Sequence, residues 1–244
     1  MDSEGLGSFE METQSYAAAE AVSEPLNSRV PALILVRPER VPARPAWQLA
    51  CKRLVDIVGS AICILVFAPF ALLITAIIRI TSPGPVIYRS KRVGEDGGLF
   101  TMYKFRTMVS NADELKKDLA HLNERDGVLF KITNDPRVTP LGKFLRRYSL
   151  DEVPQLLNVF AGDMSLVGPR PPTLEEYLEY TDEQARRMTV KPGITGLWQV
   201  QARRDPSFDR YLALDIEYIS NWSLDLDFEI LLKTVGVVLR GTGA

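Results

Sequence analysis

The densest set of reactive side chains is the run Arg146-Arg147-Tyr148-Ser149-Leu150-Asp151-Glu152-Val153-Pro154. Two readings of it stand side by side. Ser149-x-x-Glu152 has the spacing of a capping box, and acids in a first helical turn complement the helix dipole. The same placement serves chemistry. A carboxylate at a helix start beside two arginines stays ionised, and an ionised Asp151 can attack phosphorus. Glu152 can hold a hard cation or handle a proton. Phosphates need cations around them, and the candidates are Lys104, Arg106, Arg146, Arg147, Arg170 and Arg203. Each alone also reads as a solvated surface charge. Gly168-Pro169-Arg170-Pro171-Pro172 stands out: the glycine lets backbone approach a ligand, and the prolines stiffen the loop presenting the Arg170 fork. Lys191–Gly196 is an ordered turn that also reads as plain connection.

Scarcity narrows the chemistry further. The single histidine, His121, sits in a Leu115/Leu119/Leu122 helical pattern and reads as a plain helix residue, so a Ser-His-Asp triad is not expected and no His-rich metal site can form. Cys51 and Cys63 flank an apolar stretch without a CxxC and read as buried thiols in a reducing compartment. No Walker A loop, G-x-S-x-G elbow or G-x-G-x-x-G fingerprint occurs. The 244 residues carry 29 Lys+Arg against 31 Asp+Glu. Met1–Ser28 holds six of those acids and no base, so the remainder is net positive by four, which permits anionic partners. An acidic pI of about 5.6 and a long apolar segment argue against nucleic acid.

Several elements must position these groups. Residues 1–46 are acidic and then Pro-interrupted, a composition that predicts a disordered tail without signal-peptide character. From Ile57 to Ile78 no residue is charged, long enough at helical rise to cross a hydrocarbon core of about 30 Å. Length alone favours a spanning helix. Pro69 in its middle, and basic residues on both flanks, favour a bent helix that enters and returns on one face. Val86–Arg92 and Leu99–Met108 predict a hairpin around a Gly-rich turn. Its alternation sets Lys104 and Arg106 against Tyr103 and Phe105. Asn111–Arg125 predicts an amphipathic helix, Thr139-Pro140 opens another, and Leu224–Leu239 a last one.

YKFRTM (Tyr103–Met108), DPRVTPLGKFLRRYSLDEVPQLLNVFAGDMSLVGPRP (Asp135–Pro171) and KPGITGLWQV (Lys191–Val200) together resemble the bacterial sugar transferases, the monotopic phosphoglycosyl transferases that initiate polysaccharide or glycoconjugate assembly. The resemblance runs from Leu49 to the C-terminus. It implies an α+β, mostly helical fold: a re-entrant membrane helix-break-helix over residues 47–82, then a cytoplasmic catalytic domain over 83–244 with a small β-hairpin. It also implies transfer of a phosphosugar from a UDP-sugar to polyprenyl phosphate with Mg²⁺, releasing UMP, at the cytoplasmic face of the inner membrane. Asp151 would be the nucleophile, Glu152 its partner at metal or acceptor, and Arg146 and Arg170 would hold phosphates or nucleotide. The family's bend carries a Ser-Pro pair where this chain has Ala68-Pro69. After Val200, a Ser/Asn-Gly-Arg is replaced by Gln201-Ala202-Arg203, which retains the arginine. The stretch around Leu214–Leu224 looks most like members that handle galactose or glucose. A homodimer is one assembly state left open. A catalytically silent membrane scaffold and a phosphodiesterase that admits water are the rival classes, separated by product formation on a lipid acceptor.

Overall fold

The uncharged run lies within one helix, α1 (Ala46–Thr81), 36 residues long with Pro69 inside it, or about 54 Å at helical rise. The computed structural model describes residues 44–116, 118–124, 132–203 and 205–241; the tail expected over 1–46 lies outside the described residues except for its last three. Of these, Arg44 stacks 4.4 Å from the Trp222 ring and donates to the Ile219 and Trp222 carbonyls.

The near-N-terminal end of α1 is fastened by polar contacts to the residues that follow the site. Lys52 donates to the Val167 carbonyl at 3.0 Å and to Asp227 at 2.6 Å. Arg53 takes the Val159 and Phe160 carbonyls, and Asp56 accepts from the Ser165 hydroxyl and the Leu166 N–H. At the other end, Ile74 and Ile78 are buried with Phe105 and Leu145. Burying each such side chain is worth roughly 1.5–3 kcal/mol. Between these anchors Leu65, Val66, Phe70, Leu72 and Leu73 stand exposed, Leu65 at 75%. Cys51 is exposed on α1 rather than buried as expected, because it points away from the anchored side; both thiols are free.

The hairpin forms as the alternation predicts, shifted by one residue at its start and ending earlier. Strands β1 (Ile87–Val93) and β2 (Leu99–Phe105) pair antiparallel, with Tyr88 opposite Lys104. Their turn places Asp96 at φ 53° and Gly97 at φ 79°. The helix expected over 111–125 does not form among the described residues, which hold only 3₁₀ turns at Glu114–Lys116 and Ala120–Leu122. Long-range bonds hold this stretch to the 137 region instead: Arg137 donates to the Ala112 carbonyl, and the Val109 N–H to the Arg137 carbonyl. His121 accordingly sits exposed on a short turn.

Helix α2 (Pro140–Arg147) starts where expected, with the Thr139 hydroxyl accepting from the Gly142 N–H at 3.0 Å. A 3₁₀ turn (Leu150–Glu152) leads into α3 (Gln155–Ala161). Strand β3 (Ser165–Val167) follows, then α4 (Leu174–Leu178) and α5 (Asp182–Ala185), each opened by a threonine capping box. Strand β4 (Gly193–Thr195) lies parallel to β3, and α6 (Leu197–Gln201), α7 (Phe208–Asn221) and α8 (Leu224–Leu239) close the chain. Val167, Leu197, Leu214, Tyr218, Ile219 and Ile230 form the largest buried cluster. Outside it, Phe228, Leu232, Val235 and Leu239 make an exposed apolar stripe along α8. Spacings of four, three and four put them on one helical face.

Candidate active site

Asp151 and Glu152 sit on a 3₁₀ turn, reached through Ser149 in the left-handed region at φ 55°. Ser149 therefore makes no side-chain cap; its hydroxyl accepts from Arg203 Nη2 at 2.9 Å. The capping box expected there is absent. Those that form are Thr173 with Glu176 and Thr181 with Gln184.

Two cavities meet at this turn. The larger, about 920 Å³, is lined by Asp151, Glu152, Lys104, Arg146, Arg203 and the loop Arg106–Ser110 among others. The smaller, about 330 Å³, shares Glu152, Lys104, Arg92 and Arg203 and adds Arg170, Gln155 and apolar residues of α1 and α8. Lys104 reaches across from β2 to Glu152 Oε1 at 2.7 Å. Burial works to raise the Glu152 carboxyl. The Lys104 ammonium outweighs it, through attraction and that hydrogen bond, and Arg203 and Arg170 add to the effect, so the group lies below its ordinary value.

Asp151 behaves differently. Only 8% exposed, its carboxyl is raised from its ordinary value by burial, with the neighbouring Glu152 charge adding to the rise. Lys104, Arg146 and its own backbone N–H pull the other way. The setting expected for it, a helix start flanked by two arginines, is only partly present. Its turn is no α-helical N-terminus, and one of the arginines is absent from the site. Arg146 does face Asp151, its Nε held by the Thr107 hydroxyl at 2.9 Å. Arg147 is exposed and lies 5.7 Å from the Tyr148 ring, away from both cavities.

Other expected site residues divide in the same way. Arg106 reaches the larger cavity's wall, but its guanidinium donates to the Pro83 and Ser82 carbonyls at 2.8 and 2.7 Å, tying down the chain leaving α1. Arg170 lines the smaller cavity with Pro171 and donates to Glu176 at 3.2 Å. Gly168 and Pro169 lie behind it. A Cβ on Gly168 would stand 2.5 Å from the Lys191 carbonyl oxygen and 2.8 Å from the Gly193 nitrogen, so the close approach is to the Lys191–Gly193 backbone rather than to a ligand. The Pro169 carbonyl accepts from the Gly193 N–H at 2.9 Å. The turn at Lys191–Gly196 is thus the strand that holds the arginine loop. Ala68 and Pro69 are exposed on α1, beside Leu65, Val66 and Phe70.

Three residues around the site escaped the sequence reading. Arg187 is fully buried, 2.8 Å from Asp215, and donates to the Arg170 carbonyl at 3.0 Å. Glu176 fixes the Arg170 side chain, and its Thr173-x-x-Glu176 spacing was the one local signal available. Arg92, at the end of β1, lines both cavities. Among the described residues no three His, Cys, Asp or Glu side chains gather as a metal cage. Asp151 and Glu152 are adjacent carboxylates in a cavity with room for a diphosphate. That donor set fits an ion such as Mg²⁺, which takes one or two carboxylates and completes its shell from substrate phosphate and water.

Comparison with known proteins shows the family of the chain. Residues 47–241 match the bacterial sugar transferase family. The chain is 48% identical over 197 residues to the galactosyl transferase CpsE of Streptococcus agalactiae, covering 80% of this chain and 44% of that protein. It is 46% identical over 201 residues to the undecaprenyl-phosphate galactose phosphotransferase of Salmonella typhimurium, covering 79% and 41%. It is 40% identical over 205 residues to the exopolysaccharide production protein ExoY of Rhizobium meliloti, covering 82% and 90%. The chain spans less than half the length of the first two relatives and nearly all of the third. A match over most of the chain, enclosing the Asp-Glu turn and the Arg170 loop, makes it a member of the bacterial sugar transferase family.

Proposed function

We propose that the protein transfers a sugar 1-phosphate, galactose or glucose, from a UDP-sugar to undecaprenyl phosphate, the initiating step of exopolysaccharide synthesis. The observation that carries this is the Asp151–Glu152 turn at the meeting of two cation-lined cavities. Asp151 attacks the sugar-bearing phosphorus; a P–O bond forms to its carboxylate as the bond to the UMP oxygen breaks, and UMP leaves. An oxygen of the lipid phosphate then attacks the same phosphorus, and Asp151 departs as a carboxylate. Arg146 and Lys104 hold Asp151 toward its charged form against the pull of burial. Arg170, fixed by Glu176 and by the Arg187 bond to its carbonyl, carries positive charge to the phosphates. A Mg²⁺ held by Asp151 and Glu152 would supply neutralisation of phosphate charge as the P–O bonds change.

The anchoring of α1 supports membrane association at one face. Lys52–Asp56 and Ile74–Ile78 bind parts of the same folded body, while a spanning helix would deliver its two flanks to opposite faces about 30 Å apart. The exposed apolar middle of α1 and the α8 stripe are what a one-sided insertion buries. The same-face reading places the catalytic body where UDP-sugars are, on the cytoplasmic side of the inner membrane, with Ala68-Pro69 as the bend.

The test is UMP release from a panel of UDP-sugars by protein in detergent, with and without undecaprenyl phosphate, and with EDTA or restored Mg²⁺. Lipid-linked product that requires the acceptor and stops on chelation is expected. Sustained turnover without lipid would make it a phosphodiesterase, and no product from any donor would leave a silent scaffold.

A further inference from the structure

Gln155 opens α3 directly after the Asp-Glu turn and is only 3% exposed, yet among the described residues its Nε2 has no hydrogen-bond acceptor. A buried amide donor left unmet is costly, and native proteins keep one where a ligand supplies the acceptor. Gln155 lines the smaller cavity and not the larger, whereas Asp151 lines the larger and not the smaller. Between them stand Glu152, Lys104, Arg92 and Arg203, which line both.

Arg92 adds the charge. Its Nε donates to Ser90 and its Nη1 to the Pro171 carbonyl, while among the described residues Nη2 donates to no acceptor. Glu176 lies 3.9 Å from Arg92 and 3.2 Å from Arg170, so one carboxylate faces two guanidinium groups and the pocket keeps a net positive charge. Burial and the neighbouring Arg170 lower Arg92 to about 10, still protonated at neutral pH. The rest of the wall is of opposite character. Cys63 and Phe67 come from α1 and Val237 and Val238 from α8, the two helices with the exposed apolar faces.

We infer that the smaller cavity is the subsite of the lipid acceptor, its phosphate received by Gln155 Nε2 and Arg92 and its chain leaving between α1 and α8. The occupant is a phosphate monoester with an apolar tail, since one cavity offers an unmet donor, surplus cations and an apolar wall continuous with membrane-facing surface. The inference rests on the two-step transfer proposed above. It adds that donor and acceptor phosphates are read on different sides of Glu152.

Gln155→Met keeps side-chain volume and removes the unmet donor. Full-length protein in detergent is assayed in two arms: the UMP burst with UDP-sugar alone, and transfer with varied undecaprenyl phosphate. The KM for undecaprenyl phosphate should rise about 10- to 100-fold, the loss of a hydrogen bond to a charged group, with the burst rate within about threefold of the parent. Thermal stability should hold or increase, because a buried orphan has been removed; a role confined to packing or structural bonding would lower it. Arg92→Gln should raise the same KM, with Arg92→Lys recovering part of the loss. Unchanged acceptor KM in Gln155→Met, or equal losses in both arms, would overturn the assignment. A parent protein with no UMP burst would instead strike the two-step transfer itself.

Discussion

Replacing Arg187 by methionine tests how the arginine loop is held. Its side chain and that of Asp215 are 0% and 1% exposed and 2.8 Å apart, and Arg187 also serves the Tyr180 and Tyr211 hydroxyls and the Arg170 carbonyl. Methionine fills much of the space but leaves Asp215 buried without its cation. Breaking one side of a buried pair costs about 3–5 kcal/mol. At about 2–4 °C per kcal/mol for a domain of this size, the melting temperature should drop by roughly 6–20 °C. Arg187→Met/Asp215→Leu removes both charges, and a buried pair exchanged for apolar groups is often neutral. The two tyrosine hydroxyls and the Arg170 carbonyl still lose a donor, so the double variant should regain about half the loss. Thermal unfolding in detergent micelles, followed by circular dichroism, measures Arg187→Met, Asp215→Leu and the double variant against the parent. An Arg187→Met variant within about 1 kcal/mol of the parent, or losses that simply add, would refute the reasoning.

Asp151→Asn removes the attacking charge with little change of shape, so UMP release and the covalent phosphosugar adduct should both vanish; an adduct seen by intact-protein mass spectrometry in that variant would sink the assignment. The rise of the Asp151 carboxyl through burial has a pH consequence. Below its raised folded value the group is protonated and cannot attack, so the acid limb of kcat/KM should lie above the ordinary aspartate value of about 3.9. The stability linkage has the opposite sense: this group favours folding at low pH and loses that contribution as pH rises through its folded value. Arg146→Gln removes a charge that favours ionisation and should move the acid limb upward; a profile flat to about pH 4 would contradict both. Single cysteines at Ser8 and Gly243 in a Cys-free background should react with impermeant reagents only after lysis. Pro69→Leu, which restores the missing helical hydrogen bond, should strand the tail outside in a fraction of molecules, and labelling of Ser8 from outside in the parent would defeat the one-face reading.

The local elements were legible in the sequence. The uncharged stretch, the hairpin around Gly94–Gly98, the Thr139-Pro140 helix start and the closing helix are all written in neighbouring residues, because their hydrogen bonds close over a few positions. So was the Asp-Glu pair within its basic run. The three-residue β3–β4 pair was not, since each strand is too short for a periodic signal and exists only by pairing across the chain. Nor was the absence of an α-helix among the described residues of 111–125, a stretch tied by Arg137 to a distant part of the chain. Most of all, composition supplied six candidate cations without saying where each would point. Folding gave Arg106 to backbone carbonyls and Arg147 to solvent, and it brought Arg92 and Gln155 to a cavity wall. The charge state of Asp151 belongs to the same class: a neighbouring sequence fixes which charges are near, but desolvation depends on what the rest of the chain packs over the group.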